Sequence, residues 1–348
     1  MAETWFLGAN SARGFASLYT ELSGGLYLHI IKGGPGTGKS TLMRGIGEAA
    51  EAMGYDAEYI LCSGDPDSLD AVIIPSLKLA WADGTAPHAL EPGAFGADGD
   101  YIDLGRFCAL PEAKREEVFS LSSSYRRWYA RAYELLAAAE RVSPSMSGWV
   151  LTEAERRAAR ERAAGAAKRE LRGLRPGGIS RRYLGSLTCK GRCMVTETLA
   201  SVAPRLYLLD NELGLGWEFT SELARCVTES GVRAVICPHW LAPDKIEAVL
   251  LPESGVGWCV LEPGTAYPAA HRRLHLDRMA DAETRSALRT QLRADAKLCD
   301  SLLTRAGQCL AAAKSLHDRL EAQYRPHLDT QALKETLQSE LTRLPRKP

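Results

Sequence analysis

Residues 26–41 read LYLHIIKGGPGTGKST, and Gly33, Gly34, Pro35, Gly36, Thr37, Gly38, Lys39 and Ser40 fit G-x-x-x-x-G-K-[ST] at every position, with Thr41 following. Glycines let a backbone curl so that successive N–H groups converge on an anion, and the positive end of a following helix adds to the attraction. A lysine in this place reaches β- and γ-phosphates, and a serine after it can set its hydroxyl on magnesium. A cation aimed into a backbone loop has no structural purpose without an anion. The expectation is therefore ATP with Mg2+, bound by residues 33–41, with Ser40 as a metal ligand.

A second metal anchor is expected at the end of a neighbouring strand. Asp83 closes the apolar run Leu77–Ala82 and fits that role, as catalytic and metal-supporting carboxylate. Asp65, which also follows a strand, competes with it as a catalytic residue. Asp83 is followed by Gly84, where many ATP-hydrolysing machines carry a glutamate that activates water. Asp65 or His88 would then have to prepare the nucleophile, or hydrolysis would be slow. The chain has no [NT]-K-x-D guanine-reading motif, which favours ATP over GTP.

The elements that must position these groups follow from periodicity. Leu26–Ile31 predicts a buried strand, and Leu42, Met43 and Ile46 predict a helix opening near Lys39. Asp56–Cys62 predicts a second strand running into an acidic turn, SGDPDSLD, with Asp65, Asp67 and Asp70; Leu77–Ala82 predicts a third.

The chain also repeats itself. PDSLDAVIIP at 66–75 resembles PDKIEAVLLP at 243–252, FLGANSARG at 6–14 resembles YLGSLTCKG at 183–191, and Trp81 pairs with Trp258, all at an offset of 177. The glycine-rich loop maps onto 208–219, with Gly36 and Gly38 at Gly214 and Gly216, Lys39 at Trp217 and Ser40 at Glu218. An indole and a carboxylate there are expected to fill and repel the phosphate position, leaving a degenerate second half.

Val118, Leu121, Tyr125, Trp128, Ala132, Leu135, Ala139 and Val142 step by threes and fours, as do Leu302, Ala306, Cys309, Ala313, Leu316 and Leu320. Two long antiparallel helices packed along these stripes are expected, with a partner-binding seam as the alternative. A helix over 152–174 carries Arg156, Arg157, Arg160, Arg162, Lys168, Arg169 and Arg172 among glutamates, and Pro176-Gly177-Gly178 reads as a linker. The expected fold is α/β, a P-loop NTPase-like, mainly parallel sheet, duplicated, with long antiparallel helical extensions. Its parts are a nucleotide-binding domain (1–110), a helical extension (111–176), a degenerate loop domain (177–275) and a C-terminal helical extension (276–348).

Composition sets the outer bounds. The 348 residues are 45% apolar and 25% charged, the balance of a globular protein, with 43 basic and 43 acidic side chains. Zero net charge gives no bulk attraction to polyanions, so nucleic acid is not favoured. No apolar run spans a membrane, no signal peptide opens the chain, and nine cysteines show no secreted framework. Cys189 and Cys193 are a close pair without a second pair, which argues against zinc. A cytoplasmic protein is expected.

The segments FLGANSARGF (6–15), KGGPGTGKST (32–41), CSGDPDSLDAVIIP (62–75) and DGTAPH (83–88) resemble an uncharacterised bacterial family of tandem P-loop ATP-binding proteins. The resemblance implies ATP binding and a fold in which each half pairs a nucleotide domain with long helices. Members of that family usually keep an intact loop in both halves, and this chain departs at 211–219. The leading expectation is an ATPase with one working site in the N-terminal half. The alternatives are a small-molecule kinase, and a non-enzymatic switch that reorganises its helices on binding ATP. A DNA-stimulated ATPase using the basic helix is a variant of the first. A homo-oligomer or protein partner would act through the helices, and no membrane partner is expected.

Overall fold

The computed structural model describes residues 3–88, 90–262, 265–268 and 270–345. The first half runs β1 (Glu3–Phe6), β2 (Gly8–Ser11), β3 (Gly14–Ser17), β4 (Tyr27–Lys32), α1 (Lys39–Ala52), β5 (Glu58–Leu61), β6 (Leu69–Ile74), β7 (Leu79–Asp83) and β8 (Gly99–Asp103). Helices α2 (Arg115–Val142), α3 (Pro144–Ser147) and α4 (Glu153–Glu170) follow. The second half runs β9 (Ile179–Arg181), β10 (Gly185–Thr188), β11 (Gly191–Met194), α5 (Thr196–Val202), β12 (Arg205–Leu209), α6 (Leu215–Ser230), β13 (Ala234–Pro238), β14 (Ile246–Leu251), β15 (Val256–Val260) and β16 (Arg272–Leu274), then α7 (Ala282–Tyr324) and α8 (Thr330–Leu341).

The architecture is mixed α/β with two six-stranded sheets, ordered β1-β5-β6-β7-β4-β8 and β16-β12-β15-β14-β13-β9. Read from opposite ends, these are one topology used twice. Both sheets are mixed but mainly parallel, with five of six strands sharing one direction and one strand reversed. In each, the middle strand (β6 or β14) pairs antiparallel with both neighbours, and the outer pairs are parallel. The reason lies in Leu69–Ile74, which is a strand running out of the acidic turn rather than part of it. Short connections join it to β5 and β7, and short connections can only produce antiparallel neighbours.

Side chains alternate across these sheets. Ala80 and Ala82 of β7 point to one face and Trp81 to the other, as Leu28 and Ile30 of β4 oppose His29. The inner faces of both sheets meet in one shared core, where Trp5, Phe6 and Ile30 join Tyr183, Trp240 and Leu250. The edge strands touch where Phe6 and Tyr183 exchange backbone hydrogen bonds (3.1 and 2.8 Å).

The outer faces are covered crosswise. Helix α4, which follows the first sheet in sequence, lays Ala159, Ala163, Ala166 and Ala167 on the second sheet and α6. Its start is fixed by a capping box between Thr152 and Glu155. Helix α8, at the C-terminal end, lays Leu333, Leu337 and Leu341 on α1 and the first sheet, and the buried Trp81 indole donates to Glu340 (2.9 Å). Between the halves, α2 and α7 run antiparallel, with Val118 and Leu121 beside Leu320 and Leu316. Trp128, expected in that seam, is 42% exposed at its edge. Among the described residues no helix is long and apolar enough to cross a membrane.

Candidate functional site

The loop between β4 and α1 is shaped by two left-handed glycines, Gly36 (φ 73°) and Gly38 (φ 90°), the second standing as the N-cap of α1. Thr37 is buried and its hydroxyl donates to the Gly34 carbonyl (2.9 Å), bracing the curl around Pro35. Lys39 folds back across the loop. Its Nζ donates to the carbonyls of Gly33 (2.9 Å) and Gly34 (3.0 Å) and lies 3.6 Å from Asp83 Oδ2. Among the described residues, the backbone N–H groups of Gly36, Gly38, Lys39 and Ser40 have no protein acceptor. Ser40 Oγ accepts from the Leu69 N–H (2.9 Å), which leaves a lone pair, and Thr41 is exposed in the first turn of α1.

Asp83 ends β7, paired in parallel register with Ile31 of β4, so the sheet itself sets it beside Lys39. Its Oδ1 accepts from the N–H (2.8 Å) and hydroxyl (2.5 Å) of Thr85. Gly84 is there for space. A Cβ at this position would stand 2.3 Å from Ile30 Cγ2 and 3.2 Å from the Lys32 ammonium, which donates to the Gly84 carbonyl (3.0 Å). A glutamate therefore has no room at position 84.

Asp65 stands apart from this group. Its carboxylate pairs with Lys314 of α7 (3.2 Å) and receives the Asp67 N–H (3.2 Å), as a turn-closing aspartate does. The group that does gather by Asp83 is Tyr19, Asp70 and His88. Asp70 sits in β6, 3% exposed, and accepts from the Tyr19 hydroxyl (2.7 Å); His88 Nε2 lies 3.5 Å from the same oxygen. Burial pushes the Asp70 carboxyl up, His88 and Tyr19 oppose that, and the charge of Asp83 adds to the rise. His88 is 9% exposed, edges onto Phe15 and Tyr19, and keeps its Nδ1 without a hydrogen-bond partner among the described residues. The sequence offers His88 but not this dyad. Asp70 looked like a turn residue, and no spacing links Tyr19 to either.

Family models, curated proteins and solved structures gave no match to this chain.

The second loop departs from the sequence mapping. His29 pairs with Trp81 and Tyr207 with Trp258, so Lys32 corresponds to Asp210. Yet the left-handed N-cap glycine comes six positions later in the first half (38 − 32) and four later in the second (214 − 210), where Gly214 has φ 98°. The second loop is two residues shorter. Lys39 therefore corresponds to Leu215 and Ser40 to Gly216, rather than to Trp217 and Glu218. Trp217 is buried in the outer core against His239 (ring centroids 5.1 Å), and Glu218 is clamped by Arg156 and Arg160 (2.7 Å each). Two cations of the basic helix thus face their own chain.

The shortened loop has its own anion. Asp277, in the 3-10 turn Leu276–Met279, accepts from the N–H groups of Glu212 (2.7 Å) and Leu213 (3.3 Å). Burial raises its carboxyl to about 6 against the pull of those two donors. Above the loop, a Cβ on Gly214 would meet the Ser145 carbonyl at 2.6 Å. The residues matching Cys62, Asp70 and Thr85 are His239, Glu247 and Glu262. His239 and Glu262 form an ion-pair contact (3.2 Å) with Arg192 beyond (3.4 Å). Glu247 is fully buried with neither oxygen hydrogen-bonded among the described residues, and burial raises its carboxyl to about 7. Cys189 and Cys193 lie on the β10–β11 hairpin, and burial raises both thiols. Among the described residues no three His, Cys, Asp or Glu gather as a metal-holding group.

Proposed function

We propose that this chain binds a nucleoside triphosphate, ATP, with magnesium at Gly33–Ser40 on a P-loop NTPase-like first half, and hydrolyses it at this one site. One observation carries the reading. A loop in which the N–H groups of Gly36, Gly38, Lys39 and Ser40 have no acceptor among the described residues opens a helix at Gly38, with Lys39 folded into it and Asp83 beside the lysine. Convergent N–H groups at a helix N-terminus make a ready anion site, and Lys39 can exchange its carbonyl partners for phosphate.

The residues fit magnesium. Ser40 keeps a lone pair and Asp83 stands at the end of the adjacent strand, and Mg2+ bound to phosphates asks for only one or two protein oxygens beside its waters. The ion would neutralise charge on the phosphates. The remaining chemistry falls to the protein. With position 84 closed to a glutamate and Asp65 held by Lys314, the group suited to take a proton from water is His88. Asp70 holds its Nε2 side, which leaves Nδ1 as the acceptor, and Tyr19 fixes Asp70.

Calorimetry with MgATP on the wild type and Lys39→Ala, while ADP release is followed, tests this. One site per chain, lost in the variant, with turnover reduced about a hundredfold by His88→Ala, is the expected result. No binding by the wild type sinks the reading. Binding without turnover favours a second reading, a switch, which the contact between α7 and this loop supports.

A further inference from the structure

The last turns of α7 lie on the glycine-rich loop. A side chain built on Gly34 would meet the Tyr324 ring at 3.3 Å, one on Gly36 would meet Glu321 Cβ at 3.2 Å, and one on Gly38 would meet Leu333 of α8 at 3.7 Å. The loop's glycines thus serve a second need, the close approach of a helix that belongs to the other half. The face of α7 turned this way carries charge at helical spacing, Lys314, His317 and Glu321, and Arg325 continues it as the residue that caps the helix. Glu321 is the hub. Its carboxylate lies 3.0 Å from the Arg325 guanidinium and 3.4 Å from His317 Nδ1. His317 holds the Glu321 carboxyl below its ordinary range against its burial, with Arg325 and Lys314 adding to the pull.

A carboxylate seated on a loop whose free N–H groups await an anion is out of place as a phosphate ligand but well placed as a holder of cations. Arg325 is 70% exposed at its side chain, with Glu321 as its ion-pair partner among the described residues. It is free to swing when a stronger anion arrives. Guanidinium groups suit phosphoryl oxygens, and a cation delivered from outside the nucleotide's own domain neutralises charge that only the terminal phosphate carries.

We propose that Arg325 is the cation the second half contributes to the terminal phosphate of the bound nucleotide, and that Glu321 is its resting partner when that phosphate is absent. Arg325 leaves Glu321 for the γ-phosphate, so the elbow between α7 and α8 tells a triphosphate from a diphosphate. This rests on the reading of Gly33–Ser40 as the nucleotide site.

The test is calorimetry of MgATP and MgADP on the full chain, with Arg325→Ala, Arg325→Lys and Glu321→Gln. Arg325→Ala should weaken MgATP about tenfold while leaving MgADP within about twofold, and Arg325→Lys should recover part of the loss. Glu321→Gln, which frees the arginine, should tighten MgATP, and the part of that gain due to Arg325 should be lost when Glu321→Gln is combined with Arg325→Ala. If Arg325→Ala keeps the wild-type ratio of the two affinities, the inference is overturned. A Glu321→Gln gain in MgATP affinity that is absent, or equally large with and without Arg325, overturns the role of Glu321 as the arginine's resting partner. A wild type that binds neither nucleotide overturns the reading of the loop itself, and this inference with it.

Discussion

The loops at Gly33–Ser40 and Asn211–Gly216 begin from the same strand position and end on the same left-handed glycine, yet they answer their backbone N–H groups differently. The first leaves those of Gly36, Gly38, Lys39 and Ser40 without a protein acceptor among the described residues and places a lysine among its carbonyls. The second is two residues shorter, has Leu215 for the lysine, and gives two N–H groups to the Asp277 carboxylate. A glycine-cornered loop can therefore keep its place in the fold with its N–H groups answered by its own chain or left open. On the proposed reading, what separates the two loops is where the anion comes from.

The sharpest way to break the comparison is to exchange its lysine. Lys39→Ala should weaken MgATP by at least about a hundredfold, and Leu215→Lys should create no second site because the shortened loop is already occupied. A calorimetric second site in Leu215→Lys would mean that length and Asp277 matter less than the lysine. Next in size is Gly84→Ala. A methyl group 2.3 Å from the buried Ile30 must displace a core strand, so urea unfolding should show a loss of roughly 3 kcal/mol. Its counterpart, Leu261, tolerates a side chain at the same place.

Glu247→Gln should act in the opposite direction and only at higher pH. The wild-type carboxyl rises from 4.5 to about 7 on folding, so the folded state holds its proton longer and stability falls as pH climbs through that window. The variant should match the wild type below pH 4.5 and exceed it by roughly 2 kcal/mol at pH 8, compared by urea midpoints at the two pH values. Asp277→Ala should cost about 1 kcal/mol by leaving the buried Leu213 N–H and the part-buried Glu212 N–H without an acceptor. It should still bind no MgATP in the second half; a gain of binding there would show that the carboxylate alone had closed the site.

The first loop was legible in sequence because everything that shapes it is local: glycines at fixed offsets, a lysine, a strand before and a helix after. Asp83 was legible for the same reason, as the end of an apolar run. The repeat at an offset of 177 foretold two sheets of one topology. Leu69–Ile74 was hidden by its own Asp70, whose polarity reads as a turn until Tyr19 and His88 are seen to satisfy it. The shorter second loop was hidden because a constant offset cannot register two missing residues between matched segments. The need for glycine at 84 depends on Ile30 and Lys32, which lie on a different strand. The crosswise covering by α4 and α8 depends on which sheet a helix reaches after a long excursion, and no local pattern records that.

That crossing has a consequence for the chain's history. A protein of half this length, built on the same plan, would have had to trade its last helix with a second copy of itself to cover either sheet. Joining two such genes end to end would preserve every contact while releasing the copies from being identical. Mutations could then accumulate in one phosphate loop without touching its twin. The helix grown out of the altered copy would stay in service, because it roofs the sheet of the other. The longer loop before Gly38 and the shorter one before Gly214 would then be two outcomes of one inheritance, made separable by fusion.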